Sequence, residues 1–251
     1  MSLIRPMRIM GLKVDFHWSI LILMFLIVRN LTPYLAAKNP NVGMIAIGMS
    51  CLVVSIAFII SILAHELAHV WAGRKFGIGF RGITLFVFGG AARMTHQPDT
   101  PKAECLMALA GPVCSMVIAI VMFGLSIGCA FLFGGDYGRL IGQSIMMISV
   151  VNGMLGVFNM IPAFPLDGGR VARAGIWKAT GSFAVATRYA TYGGMGLGGF
   201  FMAMGLIMAF GYQTCLGHGI GDGLWIGIIG FLVVLMAKAE RRNVLRMGYR
   251  P

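Results

Sequence analysis

Long apolar runs constrain this chain more than any other feature of its sequence. The hydrocarbon core of a bilayer is about 30 Å thick, and a helix crosses it in about 20 residues. Six apolar runs, each bounded by proline, glycine or charged residues, approach or exceed that length. We therefore predict membrane spans at residues 17–36, 44–72, 104–133, 140–161, 185–210 and 222–237.

The composition supports a membrane protein over a soluble one. Hydrophobic residues make up 58% of the chain and charged residues only 11%, whereas a soluble domain carries about twice that share of charge. The predicted fold is an all-α polytopic protein in a lipid bilayer, with about six transmembrane helices and residues 1–251 forming a single transmembrane domain. The first residues lack a short apolar core ending at a small-residue cleavage site, so no cleavable signal peptide is expected.

The net charge of +12 raises the question of a nucleic-acid partner. The basic residues lie in short stretches between the apolar runs, as determinants of membrane topology do, so no nucleic acid is expected. With the N-terminus in the cytoplasm, 17 of the 20 basic residues, from Arg5 to Arg250, fall on the inside. Only Arg29, Lys38 and Arg139 fall outside. This asymmetry predicts that both termini are cytoplasmic.

The longest polar interval, residues 73–103, contains the stretch FRGITLFVFGGAARM, from Phe80 to Met94. A β-branched and aromatic run, a Gly-Gly pair and a second short run predict a β-hairpin. We expect a small membrane-associated hairpin or sheet on the cytoplasmic side, covered by protein or water where it enters the membrane.

Ionisable residues interrupt the second apolar run, in SILAHELAHVWAGRKFG. Such residues are costly in hydrocarbon and usually face a cavity in which they have a function. His65 and His69 are four apart, so on a helix both imidazoles reach one ion. Glu66 can approach a metal-activated water without being a ligand, and zinc needs a third protein ligand. Two core histidines that only bond to neighbours would leave the adjacent carboxylate unexplained.

The eight acidic residues provide few candidates for the third ligand. Five lie at or outside the ends of predicted spans: Asp15, Asp99, Asp136, Asp222 and Glu240. Glu104 begins the third span, where a carboxylate favours a helix N-terminus. Asp167 differs, because it follows Pro162 and Pro165, which must break a helix. A broken helix at membrane depth makes sense where it lines a cavity. Helix rise places the histidines about 7–13 Å inside the boundary, and Asp167, three residues before Arg170, approaches the same boundary, so a metal would lie about 10 Å inside.

HELAH and the later stretch NMIPAFPLDGG, from Asn159 to Gly169, resemble the motifs of the site-2 protease family of intramembrane zinc metalloproteases. The resemblance extends to FHWS (16–19), FGGAARM (88–94) and MALAGPVCS (107–115). It implies one zinc ion per chain held by His65, His69 and Asp167, with Glu66 as the general base and Asn159 holding the substrate or the oxyanion. The expected form is a six-span catalytic core without PDZ or CBS domains.

The family resemblance also implies the setting. The expected reaction is hydrolysis of a peptide bond in or near the transmembrane segment of a single-span membrane protein or a signal-peptide remnant. The expected location is a bacterial or archaeal inner membrane, and the oligomeric state stays open. The alternatives are a transporter, which should show internal repeats that we do not find, and a non-catalytic scaffold that retains a metal site.

The remaining polar and small residues favour structural roles. We interpret all five cysteines as small core residues: Cys51, Cys105, Cys114, Cys129 and Cys215. Three histidines outside the motif are expected at the membrane interface or in loops, without a catalytic role: His17, His96 and His218. Glycines four apart permit close helix packing, which we expect within one bundle rather than between copies: Gly194, Gly198, Gly223 and Gly227.

Overall fold

The computed structural model describes residues 7–87, 89–214 and 219–246. Five residues named above lie outside the described parts: Arg5, Phe88, Cys215, His218 and Arg250. By its internal contacts the chain divides into two compact units. The first unit comprises the residues up to Pro98 and Ala110–Val157, and the second comprises Asp99–Leu109 and the residues from Phe158 onward.

Six helices in the described part are long and apolar enough to cross a membrane, which confirms the predicted architecture. They are α1 Ile20–Lys38, α2 Met44–Lys75, α3 Pro101–Leu132, α4 Gly135–Asn159, α6 Phe183–Ala209 and α7 Gly219–Arg246. The last helix extends nine residues beyond the predicted span (246 against 237), because charged residues end an apolar run without ending a helix.

A shorter helix, α5, Asp167–Thr180, was not predicted. Its residues are mostly polar or small, so an apolar window does not detect it. The predicted break before it is confirmed, because α4 ends at Asn159 and the chain turns irregularly until α5 begins.

The predicted hairpin is confirmed as β3, Phe80–Phe86, paired antiparallel with β4, Gly89–Met94. It belongs to a four-stranded sheet of order β1-β2-β3-β4. The two additional strands, β1 Met7–Ile9 and β2 Leu12–Phe16, are joined by a turn in which Met10 and Gly11 have positive φ. Such a two-residue turn suits a hairpin. We missed these strands because they are only three and five residues long.

In the first unit the sheet packs against the part of α2 that carries the HELAH motif. Val14, Ile83 and Leu85 from the strands are fully buried and form one apolar cluster with Ile62 and Val70 of α2. Burial of these side chains stabilises the pairing of sheet and helix. The sheet is therefore held beside the two histidines.

In the second unit α6 and α7 approach each other through glycines. A Cβ atom on Gly198 would lie 2.6 Å from the carbonyl oxygen of Gly230, and one on Gly205 would lie 2.5 Å from that of Gly223. Only residues without a side chain allow two helix backbones to come this close. The expected packing within one bundle is confirmed for Gly198 and Gly223.

Candidate metal centre

His65 and His69 lie one turn apart near the end of α2 and face the same side. Their Nε2 atoms are 3.1 Å apart, and both residues are buried, with 4% and 6% of their surface exposed. Two nitrogens that each lie 2.0–2.1 Å from one tetrahedral zinc ion are separated by about 3.3 Å. The histidine pair thus has nearly the spacing that a shared metal ion requires.

The buried hydroxyl of Ser115, on α3, contacts the other ring nitrogen of His65. Its Oγ lies 2.9 Å from Nδ1. When Nδ1–H donates to this oxygen, the lone pair of Nε2 is directed toward a metal. Sequence reasoning missed this role, although a serine within the apolar run of α3 was a signal.

Gly111 of α3 lies next to the Nε2 atoms of the histidine pair. A Cβ atom at this position would collide with Nε2 of both His65 and His69. Because Gly111 has no side chain, no Cβ from this position of α3 blocks the two Nε2 atoms. Two imidazole nitrogens left unblocked in this way fit a bound zinc ion.

Glu66 is half-buried beside the first histidine and lies against strand β4. A Cβ atom on Gly90 would come within 2.9 Å of its Oε1. Gly90 thus lets the strand approach the carboxylate closely, which places a backbone edge next to a candidate base.

A second buried polar pair supports the same end of α2. Asn152 of α4 is completely buried and donates from Nδ2 to Ser61 Oγ at 3.1 Å. Ser61 precedes His65 by one helical turn. This bond ties α4 to the histidine-bearing segment and was not predicted from the sequence.

Asp167 belongs to the second unit, where it is the first residue of α5 and is 8% exposed. The unpaired N–H groups at a helix start favour a carboxylate there. Cβ atoms on Gly168 and Gly169 would collide with the backbone of Met160 and Ala163. The two glycines therefore allow the irregular segment to fold back onto the start of α5.

A family model matches this arrangement of motifs. The model described as peptidase family M50 covers residues 53–145 and 135–203. The chain belongs to peptidase family M50. The resemblance to site-2 proteases is thereby confirmed. The HELAH motif and the later motif that contains Asp167 both lie within the matched residues.

Individual M50 relatives and one solved structure agree with this assignment. Rip3 of Mycobacterium tuberculosis, a relative named for zinc metalloprotease activity, is 30% identical over 240 residues. Zinc metalloprotease MJ0392 of Methanocaldococcus jannaschii is 32% identical over 204 residues. The solved site-2 protease from Methanocaldococcus jannaschii has a TM-score of 0.62 and 27% identity, covering 95% of this chain and 94% of that one.

The lengths of the M50 relatives differ from that of this chain. The matched region covers 94% of this chain but 58% of Rip3, and 81% of this chain but 54% of MJ0392. The chain thus spans little more than half the length of these two curated relatives.

The other polar residues considered from the sequence have local contacts. Asn159 is the half-buried last residue of α4. His17 Nδ1 lies 2.8 Å from Ser19 Oγ, and the ring of His17 tilts against Trp18. His96 Nδ1 lies 3.0 Å from the carbonyl oxygen of Gln97. Among the cysteines of the described residues, four are free thiols: Cys51, Cys105, Cys114 and Cys129.

Proposed function

We propose that this M50 chain is an intramembrane zinc metalloprotease that hydrolyses a peptide bond in or near the transmembrane segment of a membrane-protein substrate. The observation that carries the proposal is the buried pair of Nε2 atoms 3.1 Å apart, with Glu66 beside them. A transporter or a scaffold has no need of a carboxylate next to an open metal position.

The proposed ligand set is His65, His69 and Asp167, holding one zinc ion per chain. Asp167 is buried although it is acidic, which is unusual for a residue without a specific role. Two histidines with one carboxylate form a known catalytic zinc set.

Each protein residue then has a separate task in hydrolysis. Zinc, when bound, supplies a Lewis acid for the scissile carbonyl and lowers the pKa of the attacking water. Glu66 accepts a proton from that water and delivers it to the leaving amine. Asn159 donates a hydrogen bond to the substrate or to the developing oxyanion. Ser115 keeps His65 in the tautomer that leaves Nε2 free to bind.

Strand β4 is the proposed site for the substrate backbone. A helical substrate must unwind locally, because its scissile carbonyl is otherwise bonded within the helix. Among the described strands, β4 lies at the edge of the sheet, where an extended peptide can add by backbone hydrogen bonds. Gly90 on this strand contacts Glu66, so an added strand would run close to the base.

The proposed substrates are single-span membrane proteins or signal-peptide remnants. The protein is integral to a membrane, and we place it in a bacterial or archaeal inner membrane with both termini in the cytoplasm. The excess of basic residues in the segments that hold the termini supports this orientation.

The test compares membrane proteomes of cells that express the wild-type chain or Glu66→Gln. Full-length substrates and membrane-retained fragments should accumulate with Glu66→Gln only. Metal analysis of the purified wild-type protein should give one zinc ion per chain. Identical membrane proteomes combined with one bound zinc per chain would favour the scaffold, and wild-type protein without zinc under zinc-replete conditions would refute the ligand set.

A further inference from the structure

A buried ion-pair network lies in the second unit and takes no part in the proposed chemistry. Arg173 of α5 is 1% exposed, and Glu104, near the start of α3, is fully buried. The Nε of Arg173 donates to Glu104 Oε1 at 2.7 Å, and Nη1 donates to Glu240 Oε1 of α7 at 2.8 Å. One guanidinium thus connects three helices. Glu104 is more than the helix-terminal charge suggested by its sequence position.

Such a network is a poor way to gain stability alone. Removing charges from water is costly, and well-packed apolar residues of similar volume often stabilise a protein as well or better. What a guanidinium adds is fixed geometry, because its planar fork directs several donors at once. A role in fixing one conformation therefore explains the buried Arg173 better than a gain in stability does.

Arg173 also contacts the irregular segment that precedes Asp167. Its guanidinium carbon lies 5.5 Å from the ring centroid of Phe164 and 4.7 Å from that of Phe183. Phe164 is three residues before Asp167. Its N–H donates to the carbonyl oxygen of Ala190 on α6 at 3.3 Å, and a Cβ atom on Gly194 would collide with its carbonyl oxygen. Phe164 is therefore held between α5 and α6.

We propose that Arg173, held by Glu104 and Glu240, is a positioning residue that fixes the segment 160–166 and the start of α5 so that Asp167 is presented in one orientation. This inference rests on the proposed role of Asp167 as a metal ligand. Arg173 has three connections to this region: it is on the helix that Asp167 begins, it packs on Phe164, and it ties α5 to α3 and α7.

The principal variant is Arg173→Lys, which keeps the charge but loses the fork and the flat face. Purified full-length protein is titrated with Zn²⁺, and with Co²⁺ to record the ligand-field spectrum. We expect affinity to fall about 10- to 100-fold, the range for lost support of a ligand. Arg139→Lys, at an exposed pair with Asp136, is the matched control and should leave affinity unchanged.

Hydrogen exchange separates positioning from general destabilisation. In Arg173→Lys, amides of residues 160–166 should exchange at least about tenfold faster while those in the middle of α6 keep their rates. Equal acceleration in both segments would indicate only a structural role and overturn the inference.

A second variant covers the case in which Arg173→Lys does not fold. Glu240→Ala removes the more exposed carboxylate, which is 15% exposed, and leaves Arg173 balanced by Glu104. It should weaken Zn²⁺ binding several-fold. In an Asp167→Ala background neither variant should weaken Zn²⁺ binding further, because the carboxylate that Arg173 positions has been removed.

The outcomes distinguish the inference from the proposed function. Wild-type protein that binds no Zn²⁺ would refute the metalloprotease proposal itself. Wild-type protein that binds Zn²⁺, with unchanged affinity and exchange in both network variants, would refute only the role of Arg173. If the network variants reduced Zn²⁺ affinity further in the Asp167→Ala background, their effect would lie elsewhere in the site, and the positioning role of Arg173 would also be rejected.

Discussion

At the scale of single residues, the histidine pair depends as much on what is absent around it as on the imidazoles. Gly111 has no side chain where one would occupy the position in front of both Nε2 atoms, and Ser115 holds the remote nitrogen of His65. Both lie on α3, within four residues of each other. One turn of α3 therefore both opens the space for a ligand and orients a residue that lines it.

The first prediction separates a base from a ligand. Glu66→Gln should keep zinc and lose cleavage, because we propose Glu66 as the base beside the metal and not as a ligand. Asp167→Ala should lose cleavage and bind zinc with reduced affinity, since it removes one of three proposed ligands. Zinc content and cleavage of a single-span substrate are measured on the same preparations. Equal zinc loss in the two variants would mean that these roles are assigned wrongly.

The second prediction concerns Gly111. Gly111→Ala should reduce zinc affinity roughly 100-fold, because its methyl group would occupy the space before the histidines. Gly124→Ala is the control on the same helix, since a Cβ atom there meets nothing within 4 Å. Affinities are obtained by competition with a chelator. Zinc binding of normal strength in a folded Gly111→Ala protein would contradict the proposed location of the metal.

The difference between these residues shows what the sequence was able to reveal. His65 and His69 were identified because local helical spacing alone brings them to one face, and Glu66 was identified because it adjoins His65 in sequence. Ser115 and Gly111 act through contacts between helices. The sequence around a serine or glycine in an apolar run does not show which residue of another helix it contacts. Glu104 was undervalued for the same reason, since its partner is 69 residues away in sequence.

At the scale of elements, the sequence predicted the break after α4 but not the helix α5 that follows it. Prolines reveal where a helix must end, so the turn after Asn159 was expected. That α5 resumes at Asp167 was not expected, because its stability derives from packing on its neighbours. The amphipathic β1–β2 hairpin was missed for a related reason, since strands this short depend on the rest of the sheet.

The third prediction tests the close packing at the start of α5. Gly168→Ala should destabilise the protein by about 1–3 kcal/mol and weaken zinc binding, because its methyl group meets the backbone of Met160 and Ile161. Gly175→Ala lies in open space on the same helix and should stabilise it by about 0.5–1 kcal/mol. Thermal unfolding and zinc titration measure both effects. Similar unfolding temperatures and zinc affinities for the two variants would argue against this packing.

At the scale of the whole molecule, the distribution of charge predicts an orientation in the membrane. The six candidate spans agree in number with those expected from apolar runs alone. Strand β2, which precedes α1, pairs with β3, which follows α2. Residues before α1 and after α2 therefore lie on one side, which matches the proposed cytoplasmic location of the sheet.

The fourth prediction tests that orientation with single cysteines in a background without the native thiols. Thr95→Cys, exposed after β4, should react with an impermeant maleimide only in inverted vesicles. Gly134→Cys, exposed between α3 and α4, should react in intact right-side-out cells. Positive charge is retained on the cytoplasmic side during insertion, which is the reason for this expectation. The opposite labelling pattern would invert the proposed topology.

The pairing of β2 with β3 also sets an order of events during synthesis. Lys13 lies beside Gly82 in the sheet, so β2 has only β1 as a neighbour until α1 and α2 have both left the ribosome and entered the bilayer. Contacts so distant in sequence form late. Gly90, which contacts Glu66, emerges later still. A nascent chain therefore carries its histidine pair into the membrane before β4, the strand next to Glu66, has been synthesised. The site is completed only after α2 has been inserted.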